Sequence, residues 1–361
     1  MKSLSVLLTC TLASTSAVAR ADFTYQESTQ ITGGSVVSMM KFAGAFSKQA
    51  RQVGDPILTS VMVKGNRMIR NSKDHSEIIV LDAGTVTEID HLRKQYTTVT
   101  FEQMRQQMEA AVAKAKAEQS KQQEQPQQPS SNDSQNVDLK FNIKVRNTGA
   151  SKDVAGLSAK ESIMTMTVDA TDQKFGQTGS LAITTDMYLA PDIPGYDEVR
   201  DFDRRYAIKM GTVINGAINP QMMAMMQQPA AGKGMADMVE EMSKLKGIPV
   251  LQIMRMGTTI DGTPLPAASE APLPVGPPPP SAGDIAKQSA SSAIMSSLPF
   301  GGFGKKKKQE APPPATDAAQ PTAAVLVEMN TQMTNFSKAS VDPSQFSPPA
   351  GYKQVEPKQM D

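Results

Sequence analysis

The chain has one cysteine, Cys10, no tryptophan and only two histidines, His75 and His91. Each scarcity excludes something. A single thiol closes no internal disulfide, so the chain needs a core that stands without staples. The histidines and the lone cysteine do not supply the closely spaced ligand set of a zinc site. The formal charge of +1 over 361 residues gives no global pull towards nucleic acid. Beyond the first residues, no apolar run approaches the length of a membrane span.

Catalytic patterns are missing as well. There is no G-x-S-x-G, no phosphate-cradling glycine loop and no H-E-x-x-H. His75 lies in the polar stretch NSKDHSE and His91 in EIDHLRK, and both read as solvated. Glu88, Asp90 and His91 are close in sequence, but strand alternation sends the two carboxylates to one face and the imidazole to the other. Asp169 and Asp172 read as hairpin-turn residues. The expectation is a protein that is not an enzyme, with no catalytic residues, no metal and no cofactor.

What is present begins with the first residues. Met1-Lys2, an apolar run from Leu4 to Leu12, and Ala19-Arg20-Ala21 form the pattern of a secretory signal peptide over 1–21, with the mature chain starting at Asp22. Leu7-Leu8-Thr9 lacks the small residue that precedes an acylated cysteine, which argues against a lipid anchor at Cys10. A periplasmic or extracellular location follows.

Strand and helix patterns fill three blocks, 22–117, 137–261 and 323–355, with a short tail at 356–361. Asp22–Ile31 reads as a first strand, followed by helical spacing at Val36, Met39, Met40, Ala43 and Phe46. Thr59–Arg70 reads as one extended segment with a bend at Gly65. Glu77–Leu81, Val86–Ile89 and Gln95–Thr100 continue a meander of short strands. Thr100-Phe101-Glu102-Gln103 fits a helix capping box. After it, Val137–Arg146, Ser162–Val168 and Ser180–Tyr188 alternate, and Pro194 opens a helix presenting Tyr196, Val199, Phe202 and Tyr206. A further helix is expected over 235–246, with Gly247 as its C-cap, before a strand at Val250–Ile260. Val325–Ala339 reads as a late strand of the same sheet, with Val325, Val327 and Met329 sharing one face.

Between the blocks lie two tracts expected to be disordered. One is a glutamine-rich linker at 118–136. The other is a Pro/Ala/Lys-rich insertion at 262–322 that contains Lys305–Lys308. Such composition buries too little apolar surface to offset the entropy of ordering. A long loop insertion costs little, because closure entropy grows slowly with length.

The stretches VKGNRMIRN, EIIVLDAGTVTEIDHLRKQYTTVTFEQMR, GIPVLQIMRM and PPAGYKQV, in this order, resemble secreted bacterial proteins of the LolA/LolB-like superfamily, in an uncharacterised branch. The resemblance covers roughly 22–117, 137–260 and 325–355. It implies an α+β fold: a curved antiparallel half-barrel sheet covered by helices, with a cavity that holds lipid in the superfamily's named members. The two long insertions and the methionine content depart from those carriers, so their lipid-contacting residues have no counterparts to name here.

The methionines are the compositional excess, 24 against 11 Phe and 6 Tyr. Their unbranched thioether chains repack around varied apolar partners. Met39, Phe42, Met104, Met108, Met235, Met238 and Met242 are the expected lining of an apolar cavity beneath the covering helices. The leading reading is a periplasmic or secreted non-enzymatic binding protein for a lipid or other apolar molecule. The alternative is a structural or interaction protein of the cell envelope with a filled core, meeting an envelope protein or an anionic membrane surface. A third is a copper(I) binder built on methionines such as Met222, Met223, Met225 and Met226.

Overall fold

The first strand shows how the sheet is built. In the computed structural model, β1 (Phe23–Gly33) places Phe23 and Tyr25 on one face, both buried. It pairs antiparallel with β2 (Ile57–Lys64), so that Phe23 faces Val63 and Tyr25 faces Val61. The structure describes residues 22–37, 54–123, 137–172, 178–217, 237–259, 262–273 and 323–357.

From β2 the chain meanders through β3 (Arg67–Ser72), β4 (His75–Val80), β5 (Thr85–Asp90) and β6 (Gln95–Thr100). The expected extended segment over 59–70 is a two-strand hairpin instead. Gly65, at φ 58°, and Asn66 form its two-residue turn, and Lys64 pairs with Arg67 across it. Glycine enters this backbone region without a side-chain clash, which is why a tight hairpin forms where a bend was read.

Thr100 caps α1 (Phe101–Gln123). The Gln103 N–H donates to Thr100 Oγ1 at 3.0 Å, and the Thr100 N–H donates to Gln103 Oε1 at 2.8 Å. The helix continues six residues into the stretch read as linker, 118–136. Then come β7 (Val137–Val154), β8 (Leu157–Asp172) and β9 (Thr178–Ala190), a run of long strands. Asp169 lies inside β8, paired with Ser180, whose hydroxyl donates to its carboxylate at 2.6 Å. Neither it nor Asp172 is a turn residue, because β8 extends through 172.

α2 (Asp197–Ala217) buries Val199 and Phe202 beneath it and packs on α1, with Phe101 and Tyr206 ring centroids 6.0 Å apart. A short helix, α3, covers 237–243. β10 (Ile248–Thr259) and β11 (Ala323–Ser337) complete the long strands, and β12 (Lys353–Gln354) is a short parallel addition to β6. Gly247 is not the C-cap of α3, which ends four residues earlier. It opens β10 at φ 124°, and a Cβ there would lie 2.5 Å from the Ala190 carbonyl oxygen.

The sheet order is β12-β6-β5-β4-β3-β2-β1-β11-β10-β9-β8-β7, and every pair except β12–β6 is antiparallel. The fold is thus α+β: one large, curved, unclosed, mostly antiparallel sheet with few helices. β11 is not at an edge. It lies between β1 and β10 and joins the meander to the long strands.

The expected face sharing along β11 breaks at one residue. Met256 pairs with Val327 and Gly257 with Val325, so Leu326 is an extra, bulged residue. Val325 therefore packs with Ala182 and Leu265, whereas Val327 and Met329 point to the other side of the sheet.

Both faces carry cores. Phe23, Val63, Met68, Ile79 and Val86 form one cross-strand row on the α2 side, where Tyr196 meets Phe23 edge-on at 5.8 Å. On the reverse, Ile69, Ile78 and Ile89 are covered by Val341 and Phe346. This is why EIIVL holds adjacent buried isoleucines, Ile78 and Ile79: one serves each face.

The reverse face of the long strands is covered by 262–273. That segment was read as the start of the insertion at 262–322. Its first residues are ordered and packed instead, with Leu265 and Ala267 buried, because β9 and β10 offer them specific partners.

Candidate functional site

The sequence-named cavity residues that the structure describes lie on two separate helices. Met39, Phe42 and Met235 lie outside the described residues, as do Met222, Met223, Met225, Met226 and Lys305–Lys308. Met104, on α1, is half-buried against the main core, and Met108 is half-buried one turn on. Met238 is half-buried on α3, and Met242 is 46% exposed. α3 is tied to the far end of the sheet, where Glu241 Oε2 accepts the Val145 N–H of edge strand β7 at 2.7 Å. α1 follows β6, near the opposite end.

The register brings together a different apolar set. Directly paired residues share a face, so the pairings can be followed across the sheet. Val145, Met164, Thr185, Met254, Met329 and Ile31 form one continuous row through β7, β8, β9, β10, β11 and β1. A second row is Ile143, Met166, Ile183, Met256 and Val327. A third contains Phe141, Val168 and Leu181. Ile31 alternates in phase with Phe23 and Tyr25, which puts all three rows on the face that α2 covers elsewhere.

The wall is half-buried rather than buried. Apart from Thr185, every one of these residues keeps intermediate exposure, unlike Phe23, Val63 and Phe202 in the neighbouring core. Five of them are methionine: Met164, Met166, Met254, Met256 and Met329. These residues were missed because Met164 and Met166, and likewise Met254 and Met256, look like ordinary strand positions. Only register shows that they adjoin. The signal available was the M-x-M spacing, which puts two methionines on one face of a strand.

The reverse side of the same strands is polar and closed. Arg255, 2% exposed, donates from Nε to Glu328 Oε2 at 2.8 Å and from Nη1 to the carbonyls of Pro266, Ala267 and Ala271 at 3.0, 3.1 and 2.9 Å. Thr32 Oγ1 donates to Glu328 Oε1 at 2.6 Å. The Ser269 N–H donates to Asp186 Oδ2 at 2.7 Å, and the Thr184 hydroxyl to the Leu265 carbonyl at 2.7 Å. Asp186 is fully buried and its Oδ1 has no hydrogen-bond partner among the described residues. Burial holds its carboxyl above the usual range, with the Ser269 hydrogen bonds opposing and the Glu161 charge adding to the rise. Burial also pushes at Glu161, but hydrogen bonds from Thr148, Tyr188 and Ser269 outweigh it and leave that carboxyl low. Burial and the Glu161 contact push the Tyr188 phenol up to about 12.

A sequence signal for this network exists. Asp186, Arg255 and Glu328 are each the lone charge of their strand, an arrangement that needs a buried partner. Its groups are consumed in holding 262–273 to the sheet, so it reads as structure.

His91 is not a solvated residue. Its Nε2 lies 2.6 Å from the Ser76 hydroxyl and its Nδ1 3.1 Å from the Tyr352 hydroxyl, while Ser76 donates to Asn71 Oδ1 at 2.6 Å. Since Ser76 gives its proton to Asn71, the imidazole donates to Ser76 from Nε2 and accepts from Tyr352 at Nδ1. The hydroxyl is thus not poised to lose a proton to His91, and the chain of bonds is a clasp on the C-terminal turn. Among the described residues, no group of three or more His, Cys, Asp or Glu side chains could hold a metal ion. A shallow depression of about 240 Å³ beside α2, lined by Asn66, Leu81, Asp82, Arg205, Ile208 and Lys209, lies apart from the wall residues.

No protein-family model matches this chain, and no curated protein matches it.

Proposed function

We propose that this is an exported, non-enzymatic binding protein that holds an acyl chain or similar apolar group against the β7–β11 wall. The observation that carries the reading is the wall itself. Its three apolar rows cross five long strands and, at Ile31, β1, yet they stay half-exposed beside a core that is fully closed. Contiguous partly exposed apolar surface of this kind marks a binding site more often than idle surface. Methionine suits it, since the thioether chain adapts to a flexible ligand.

The half-barrel, LolA-like arrangement belongs to the same proposal. In its support, the sheet is unclosed and curved, and α2 packs on the face that carries the wall. Export through residues 1–21 belongs to it too. A fluorescent acyl probe tests the reading: it should brighten on binding, and Met166→Lys with Met256→Lys should abolish that gain while circular dichroism stays unchanged. Equal brightening in the double variant would overturn it.

A second reading has one specific observation in its favour. Beneath α2 the interior is filled, with Phe23 and Tyr25 in ring contact with each other and each with Tyr196 and Phe336, and with Phe202 fully buried. A structural or interaction protein of the envelope needs no more than such a core. The acyl-probe experiment separates the two.

A further inference from the structure

Towards the α2-covered core, the wall gives way to a row of different chemistry. Asn147, Ser162, Met187, Gln252, Thr331 and Thr29 are joined by direct pairs from β7 to β1. All but Met187 are polar and uncharged. Ser162 Oγ donates to Asn147 Oδ1 at 2.6 Å, and the hydroxyls of Thr29 and Thr331 lie 3.4 Å apart.

Gln252 sits between Met187 and Thr331 and is partly exposed. Among the described residues its amide has no hydrogen-bond partner. Met254, two residues along the strand on the same face, begins the apolar wall. Neither this row nor the three wall rows contains Asp, Glu, Lys or Arg. Arg255, Glu328 and Glu161 are held in the network on the reverse side, and Glu27, two residues before Thr29 on the row's face, accepts from the Thr29 hydroxyl at 3.4 Å.

Building on the proposed function, we propose that Gln252, with Thr331 beside it, binds the polar end of the ligand, and that this end is uncharged: an ester, amide or hydroxyl. A charged head placed at Gln252 would leave water with no opposite charge on either paired neighbour, Met187 or Thr331, which is costly next to apolar surface. A carboxamide offers both donors and an acceptor, which suits a carbonyl or hydroxyl equally. The three apolar rows beyond Gln252 span about 13 Å along the strands at about 3.3 Å per residue, so the chain of the ligand extends away from the filled core.

Displacement of a bound fluorescent acyl probe tests this. The competitors are a monoacylglycerol, the free fatty acid and the alkylamine, all of one chain length, at neutral pH. The monoacylglycerol should displace the probe at least about tenfold more effectively than either charged competitor. Gln252→Leu should shrink that preference severalfold while the probe still binds. Equal displacement by all three in the unaltered protein would overturn the inference while leaving an apolar site intact, and so would an undiminished preference in Gln252→Leu. Failure of the probe to bind the unaltered protein at all would overturn the proposed function and this inference together.

Discussion

Asp186 illustrates how one buried group sets a pH dependence. Its carboxyl is raised from the ordinary 3.8 by burial. The folded state therefore holds this proton at a pH where the unfolded chain has released it, and stability falls as pH rises through that window. Asp186→Asn removes the ionisation. Its melting temperature relative to the unaltered protein should increase as pH rises from about 4, the ordinary carboxylate value; a constant difference would contradict the assignment. Gly247 is the second residue with a defined cost. Alanine there would combine φ 124° with a Cβ 2.5 Å from the Ala190 carbonyl, so Gly247→Ala should lose about 1–3 kcal/mol in denaturant unfolding. An unchanged midpoint would mean that β10 does not enter the sheet as described.

Elements divide into those that local sequence dictates and those that register dictates. The start of α1 was legible, since Thr100 and Gln103 satisfy each other's backbone donors as their spacing implies. Thr100→Ala should cost about 1 kcal/mol, read as a lower unfolding midpoint; no change would mean that tertiary contacts alone hold the helix start. The α2 face was equally legible, because Tyr196, Val199, Phe202 and Tyr206 fall at helical spacing and pack as read. What local pattern could not supply was the consequence of pairing. The bulge at Leu326 reverses which face Val327 takes, and the tight Gly65-Asn66 turn converts one segment into two strands. The clasp of His91 on Tyr352 joins residues 261 apart in sequence, and the methionine rows join five strands; neither leaves a local trace. Tyr352→Phe should free the imidazole of that bond and weaken the C-terminal turn by about 0.5–1.5 kcal/mol. Faster proteolysis within 343–357 would show it, and unchanged cleavage would argue against the clasp.

At the scale of the molecule, the position of β11 matters most. It pairs with β1 on one side and β10 on the other, so this late strand bridges the meander and the long strands in the middle of the sheet. Truncation before Ala323 should open two strand edges in the middle of the sheet and drive aggregation; a soluble, monomeric truncated protein would refute this topology. The same strand contributes Val327 and Met329 to the apolar wall, so the sheet's continuity and the proposed site depend on one element. The most direct test of the proposed binding function is native mass spectrometry of the full chain isolated from its native cells under gentle conditions. A population carrying an extra mass that mild activation releases as an acyl-containing molecule is expected, and this population should be lost in the Met166→Lys, Met256→Lys double variant. A bare protein with no releasable adduct, which also fails to take up added monoacylglycerol, would contradict the proposed function.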